Sequence, residues 1–503
     1  MTAFILRDIL VNRGKGLRMI HTATSQGIYT STDTTDAPAG WTSLTSLERA
    51  LANSSALNTW NTNTAYLGAT LQFDKAGTYE LVPCALAVPY YRVIEGNQTT
   101  VLLAVGGQST TGATLTFVAS TKVITRSSGS WLDDGFRIGQ RITITGTTSN
   151  NWTDQPITNI SAANIVLGET SVVDESSASS ANVSMAGAIA MALPASSRGT
   201  IRGLILDGAG TATLGTDALV DHVVHTAGTL SPNVAGPTLY LFDVLLRRAK
   251  ISAIHGRNAS LRIYGCQLGN FAEVGIWSEG CSESVAADTL IVGGPSTGSH
   301  AELGILLEGS LAGSSTRTGD TMTNGGLWRC HNIVIANVDV GVHWNGIAGG
   351  AFVNSSCEGS SATSYLFEKS TGITATGNRS NSGTYAKFDE SKNVCVQGFC
   401  VSTQDLQYVN DSRNCDANVQ VESISAFVPI EHVFGSSEWV GYRYANGEWI
   451  SKSNNAPTDG YWEKGIAVRP LTASSGNPFE WRCTTNGNPN GGTGVFTSMG
   501  DVP

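Results

Sequence analysis

Glu273-Val274-Gly275-Ile276-Trp277-Ser278-Glu279-Gly280, Glu302-Leu303-Gly304-Ile305-Leu306-Leu307-Glu308-Gly309 and Asp339-Val340-Gly341-Val342-His343-Trp344-Asn345-Gly346 read alike: acid, apolar, Gly, apolar, two variable residues, Glu or Asn, Gly. The pattern suits a strand with side chains alternating between two faces, closed by a turn glycine. It recurs after 29 and then 37 residues, the mark of a solenoid. Stacked as rungs, the three segments place Val274 and Ile276, Leu303 and Ile305, and Val340 and Val342 inward. Glu273, Glu302 and Asp339 then form one outward column, and Glu279, Glu308 and Asn345 a second, with glycines between them. Neighbouring strands lie about 4.8 Å apart, so carboxylates from successive rungs come within interaction distance.

Composition agrees with short strands and many turns. The chain of 503 residues holds 57 glycines, is only 14% charged and is 41% hydrophobic. Long surface helices would need more Glu, Lys and Arg. A net charge of -10 argues against nucleic acid as the main partner, because no basic stripe is present to displace counterions. Arg7, Arg13, Lys15 and Arg18 against Asp8 make the first twenty residues locally basic, either a docking arm for an acidic partner or an ordinary solvated terminus. No run of about 18 apolar residues predicts a membrane span, and the N-terminus has no secretory-signal pattern. Nine scattered cysteines without C-x-x-C spacing predict reduced, buried thiols and a chain folded in a cytosol.

Along the chain, Thr45 and Glu48 form a capping box that opens a helix expected to end near Asn58. Strands follow around the Gly77 turn, with the helix shielding an open solenoid end. The texture changes between Thr111 and Val183. There Asp133 to Gly146 alternates polar and apolar residues, which predicts a small antiparallel β domain followed by Ser- and Ala-rich linker from Ser176 to Ala181. The rung pattern resumes at Gly199. Spacings of 22 residues between Ile254 and Ile276, and 24 between Gly341 and Tyr365, match a minimal three-strand rung. The longer intervals imply loops at 293–299 and 309–325 that wall a groove. Trp439, Tyr442, Tyr444, Trp449, Tyr461, Trp462 and Trp481 crowd the last eighty residues, as in compact β modules. The expected fold is therefore all-β: a right-handed parallel β-helix with an inserted small antiparallel β domain and a C-terminal β module. Its expected divisions are 1–40 as an N-terminal arm, 41–110 as a capping helix and the start of the β-helix, 111–183 as the insert, 184–425 as the main β-helix and 426–503 as the C-terminal module.

Three features resemble the tailspikes and tail fibres of tailed bacteriophages. Asp134-Gly135-Phe136-Arg137-Ile138-Gly139-Gln140-Arg141-Ile142 to Gly146 looks like a small β domain embedded in phage fibre proteins. The rungs between Ile201 and Val401 are similar to the pectate-lyase-like β-helix. Gly460-Tyr461-Trp462-Glu463-Lys464-Gly465, with Trp481-Arg482-Cys483-Thr484-Thr485-Asn486-Gly487, is similar to a tail-protein terminal motif. The resemblance implies a homotrimer made in the host cytoplasm and carried on the virion tail. It implies docking to a tail protein through the N-terminal arm, and recognition or cleavage of a bacterial surface polysaccharide. It supplies no catalytic motif to map.

Catalysis therefore has to be read from the residues. Glycosidic cleavage uses two carboxyl groups, about 5 Å apart for retention or about 6.5 to 9.5 Å for inversion. Glu273 and Glu302 are the leading expected catalytic pair, with Glu279, Glu308 and Asp339 behind them. Stacking should raise the pKa of at least one of these acids, as a general acid requires. Trp277, His343 and Asn345 are the expected substrate contacts, and Gly275, Gly304 and Gly341 should leave the sheet floor open. The acids also fit a simpler role as solvated strand positions paired with loop cations. His222 and His225 would point to opposite faces of a strand, so no metal site is expected, and no cofactor. Calcium binding by the acids lacks a supporting repeat. A lyase would want a base near the acids, for which Lys250, Arg257 and Arg262 are only loosely placed. A depolymerase, a non-catalytic adhesin and a rigid tail spacer all fit this sequence. No nucleophile elbow, P-loop or dinucleotide fingerprint is present.

Overall fold

The computed structural model describes residues 19–400 apart from short segments, and beyond residue 400 chiefly the strands. The basic arm 1–18, most of 133–140, and Tyr444, Tyr461 and Trp462 lie outside the described residues. The chain forms an all-β parallel β-helix with an inserted antiparallel sheet. It divides into two compact units: residues 1–210 with 218–227 and 236–246, and residues 211–217, 228–235 and 247–503. Among the described residues no helix is long and apolar enough to cross a membrane.

In the first unit, Thr70–Gln72 pairs in parallel with Arg92–Glu95, and that strand pairs with Arg198–Arg202. Leu86–Val88 likewise pairs directly with Ala188–Ala192. Rungs about a hundred residues apart in sequence are thus neighbours in the ladder, so the segment between them is an insertion within one coil. That segment is antiparallel, running from Leu115–Val118 against Val123–Arg126 to Arg141–Thr145 against Asn182–Ala186. Its core includes Phe117, Trp131, Ile142, Ile144 and Ile165. The expected linker 176–181 is in part this sheet: Glu175–Ala178 pairs with Leu115–Val118, residues 179–180 make an exposed turn, and Ala178 and Ala181 are buried in the core. Ala178 and Ala181 pack in the core, a use that composition does not distinguish from a loop.

The capping box at Thr45 and Glu48 starts the helix as expected. The helix continues past Asn58 to Thr62. Asn53 and Ser54 on it satisfy edge groups of the Gly77–Leu81 strand and its continuation, donating from Asn53 Nδ2 to the Glu80 carbonyl and accepting the Val82 N–H at Ser54 Oγ. The helix thereby shields that edge. Its C-terminus is held by Arg92, buried at 1% exposure, which donates to the carbonyls of Trp60, Asn61 and Asn63 at 2.8, 2.6 and 2.6 Å. Helix-terminal carbonyls lack intrahelical donors, and this guanidinium supplies them from a strand. Its carbon lies 4.7 Å from the Trp60 ring centroid, and burial pulls its pKa down. Arg92→Met keeps the stem and removes the donors. It is expected to destabilise this unit by about 2 to 3 kcal/mol, read as a lower denaturation midpoint followed by Trp60 fluorescence.

In the second unit the coils from Ser252 to Glu358 contribute three strands each, and in the next coil the single strand Thr371–Ser380 spans the second and third ladders. One ladder runs Ser252–Arg257, Val274–Glu279, Ala301–Glu308, Val338–Asn345, Thr363–Glu368 and Thr384–Asp389. A second runs from Ser260–Tyr264 through Val285–Ala287, Gly326–His331 and Ala348–Val353 to Thr371–Ser380. The third runs Gln267–Phe271, Leu290–Val292, Val334–Ala336 and Ser356–Glu358. The corner between the second and third ladders is left-handed backbone at Gly265, Asp288, Asn332 and Asn354, with φ from 50° to 64°. Gly, Asn and Asp tolerate that region best, and each N–H there donates to a carbonyl one rung on. Beyond residue 430 the described strands pair mostly antiparallel, as in Ile430–Phe434 with Trp439–Arg443 and Trp481–Thr485 with Val495–Ser498. Cys266, Cys281, Cys330 and Cys357 are buried thiols outside any disulfide, and burial lifts the Cys330 and Cys357 thiols to about 12.

Candidate functional site

The three repeats do stack in register. Ile276 pairs with Ile305 and Ile305 with Val342, while Glu279, Glu308 and Asn345 fall in line. Strict alternation fails at one point in each strand. The ladder passes over Gly275, Gly304 and Gly341. A methyl group built on Gly275 would lie 2.6 Å from Ile291, and one on Gly304 would lie 2.5 Å from Ile335, both core side chains. The glycines therefore face inward beside Ile276 and Ile305, two consecutive inward positions. Val274 and Leu303 are displaced to the outer side, where they pack with Trp277, Leu306 and Ile251. Neither the inward placement expected of Val274, Leu303 and Val340 nor an open glycine floor holds. The same local pattern accounts for His222 and His225: the ladder passes over Val223, and the two rings stack at 5.6 Å rather than facing opposite ways.

The outer side carries two aligned columns. One is His255, Trp277, Leu306, His343, Leu366 and Lys387; the other is Arg257, Glu279, Glu308, Asn345, Glu368 and Asp389. Over the upper part of both lies segment 315–318 of the long loop. That loop was expected to wall a groove, and this part of it covers the sheet instead. Glu308, fully buried, accepts from Trp277 Nε1 at 2.9 Å, Ser315 Oγ at 2.7 Å, and the Thr316 N–H and hydroxyl at 2.6 and 2.7 Å. Glu279, also fully buried, takes Thr318 Oγ1 at 2.7 Å and His255 Nε2 at 2.7 Å. His255 stacks on Trp277 with centroids 4.1 Å apart, leaving the indole 4% exposed.

Burial by itself would raise the Glu279 pKa. The hydrogen bond and charge of His255, the Thr318 hydroxyl and the charge of Arg257 outweigh it and hold the carboxyl down at about 2. A carboxylate ionised across the neutral range cannot serve as a general acid, so the raised pKa that stacking suggested for one of these acids is not found at Glu279. Glu273 and Glu302 are both bound by one guanidinium, that of Arg317, whose carbon is 5.8 Å from the Trp277 ring centroid. Their side chains are 37% and 61% exposed, so this pair meets solvent where Glu279 and Glu308 do not. Asp339 accepts from Ser361 Oγ. His343 Nε2 lies 3.2 Å from Glu368 Oε2, and that contact lowers the Glu368 pKa with help from Lys369 and Lys387. Asn345 is 1% exposed and, among the described residues, its Oδ1 has no hydrogen-bond partner.

Sequence reasoning missed His255, Glu368 and the whole 315–318 segment. His255 and Glu368 were readable in principle, since each sits one rung from a named residue. Segment 315–318 carries no motif, and only the 37-residue interval marked that something extra was there.

No family model matches the chain, and no curated protein matches it. Solved structures similar to it include the tailspike protein gp49 from Pseudomonas phage LKA1, at 10% identity over 83% of this chain and 79% of that one, with a TM-score of 0.23. The Gp54 tailspike of Acinetobacter baumannii bacteriophage AP22 is 12% identical over 76% and 72%, with a TM-score of 0.21. A Family 28 exopolygalacturonase of Yersinia enterocolitica is 10% identical over 82% and 80%, with a TM-score of 0.39. At such identities the likeness concerns the parallel β-helix and nothing finer, and the fold itself rests on the strand register above.

Proposed function

We propose that the chain is a bacteriophage tail protein that recognises a bacterial surface polysaccharide along the outer side of its Val274–Glu279 sheet. The observation that carries this reading is the pair of columns: their lower rungs leave His343, Glu368, Lys387 and Asp389 partly exposed at the strand spacing of about 4.8 Å, in line with the covered Trp277, Glu279 and Glu308 above them. Imidazole, carboxylate and ammonium groups bind sugar hydroxyls. A rigid flat sheet holds such groups in place without ordering cost on binding. In this proposal the chain is a homotrimer, attached to a virion tail protein through the basic N-terminal arm.

Recognition is favoured over cleavage because the acids have other work. Glu279 and Glu308 are buried and bonded, and Glu273 and Glu302 share Arg317. A depolymerase reading keeps Glu273 and Glu302 as the reacting pair and requires Arg317 to leave them. Purified protein mixed with capsular polysaccharide or lipopolysaccharide from a panel of bacteria separates these cases. Binding without shorter chains on gel filtration is the expected result. Shortening that Glu273→Gln with Glu302→Gln abolishes would replace recognition by hydrolysis, and failure to bind any glycan would reject both.

A further inference from the structure

Three hydroxyls, one amide N–H and one guanidinium from a single loop segment occupy the acid and indole face. Ser315, Thr316 and Thr318 donate to Glu308 and Glu279 at 2.7 Å each, the way neighbouring hydroxyls of a sugar bind carboxylates. One register step below Glu308, at the same outward position, Asn345 holds a buried amide oxygen with no hydrogen-bond partner among the described residues. A buried acceptor left without a donor is unfavourable, so an incoming hydroxyl has something to gain there. The segment is also separable from the coil that carries it. Its loop begins at Gly309 and ends at Gly325, and a methyl group added at Gly325 would fall 2.4 Å from the Gly309 Cα. Deleting residues 310–324 would leave 22 residues between Ile305 and Val342, the spacing between Ile254 and Ile276.

We propose that segment 315–318 is a built-in surrogate for a polyhydroxylated ligand, seated on a saccharide subsite made by Trp277, Glu279, Glu308 and Asn345, and that a glycan binds there by displacing it. The inference rests on the polysaccharide reading and names its subsite. A site covered most of the time binds with an affinity reduced by the fraction of time it is open. Uncovering it should therefore strengthen binding without adding a contact.

Two variants uncover the face: deletion of residues 310–324, and Ser315→Ala with Thr316→Ala and Thr318→Ala, which keeps Arg317 and decides the matter should the deletion fail to fold. Acrylamide quenching of Trp277 fluorescence, taken as the difference from Trp277→Phe, reports the uncovering. An array of bacterial capsular and O-antigen polysaccharides is the binding probe. Both variants are expected to show stronger quenching and at least about tenfold tighter binding of the glycan the intact chain binds. Asn345→Leu in either background should remove the gain. Unchanged or weaker glycan binding by folded, more quenchable variants would overturn the surrogate while leaving the polysaccharide reading standing. No glycan binding by intact chain or variants would overturn both.

Discussion

Gly304→Val is expected to prevent the second unit from accumulating in folded form. An added Cβ would meet the Ile335 methyl at 2.5 Å and the Gly341 carbonyl oxygen of the next rung at 2.6 Å. The carbonyl cannot turn aside, because it belongs to the strand backbone that sets the rung spacing. The same geometry repeats up and down the stack: a Cβ on Gly275 meets the Gly304 carbonyl at 2.5 Å, and one on Gly341 meets the Ser364 carbonyl at 2.5 Å. Overpacking by one or two methyl groups typically destabilises by about 1 to 3 kcal/mol, and three carbons against backbone should exceed about 3 kcal/mol. Gly269 is the control. Nothing lies within 4 Å of its Cβ direction, so Gly269→Ala should stay within about 0.5 kcal/mol of the parent. Soluble yield and near-ultraviolet circular dichroism of the three proteins read the result. A Gly304→Val chain with the parent's yield and midpoint would show that the rungs are looser than these distances state.

The repeat that revealed the solenoid also misled about its cross-section. Acid, apolar, Gly, apolar reads as alternation, and alternation puts the glycine outside. The coil needs two inward residues in succession, and the first has room for only a hydrogen because Ile291, Ile335 and Cys357 reach across from another ladder. That constraint lives in the third ladder, whose strands resemble nothing in the quoted repeat. Rung order, the insert and the capping box were legible because each is written in local pattern: a repeat, a change of texture, a Thr and a Glu three residues apart. The chemistry of Glu279 was not. Its outward position follows from register, while its burial and its partner Thr318 follow from a loop 39 residues further on. Polar residues on an outer face read as solvated until something folds over them, and a Ser-Thr-Arg-Thr segment gives no sign of doing so. The exposure of Glu302 and the burial of Glu308, six residues apart on one strand, are that difference in miniature.

Acid should unfasten this part of the molecule, and Glu279 sets where. Its carboxyl is held at about 2 against 4.5 for the free group, so the folded state binds its proton less readily than the unfolded state. A depressed pKa contributes stability that is fully present above about pH 4.5 and disappears as the pH falls through about 2. At about 1.4 kcal/mol per pKa unit the loss across that window is about 3 kcal/mol. Glu279→Gln is expected to lower stability by a similar amount at pH 7 and to flatten the fall between pH 4.5 and 2, because the variant has no proton to gain there. Glu279→Ala should be worse at pH 7, by about 3 to 5 kcal/mol, since it leaves His255 and Thr318 facing a void. Urea midpoints from pH 7 to pH 2, followed by the fluorescence of Trp277 stacked on His255, measure all three proteins on one scale. Parallel pH profiles for the parent and Glu279→Gln would mean that the His255 bond adds nothing to the fold, and the acid loss would then belong to other carboxylates.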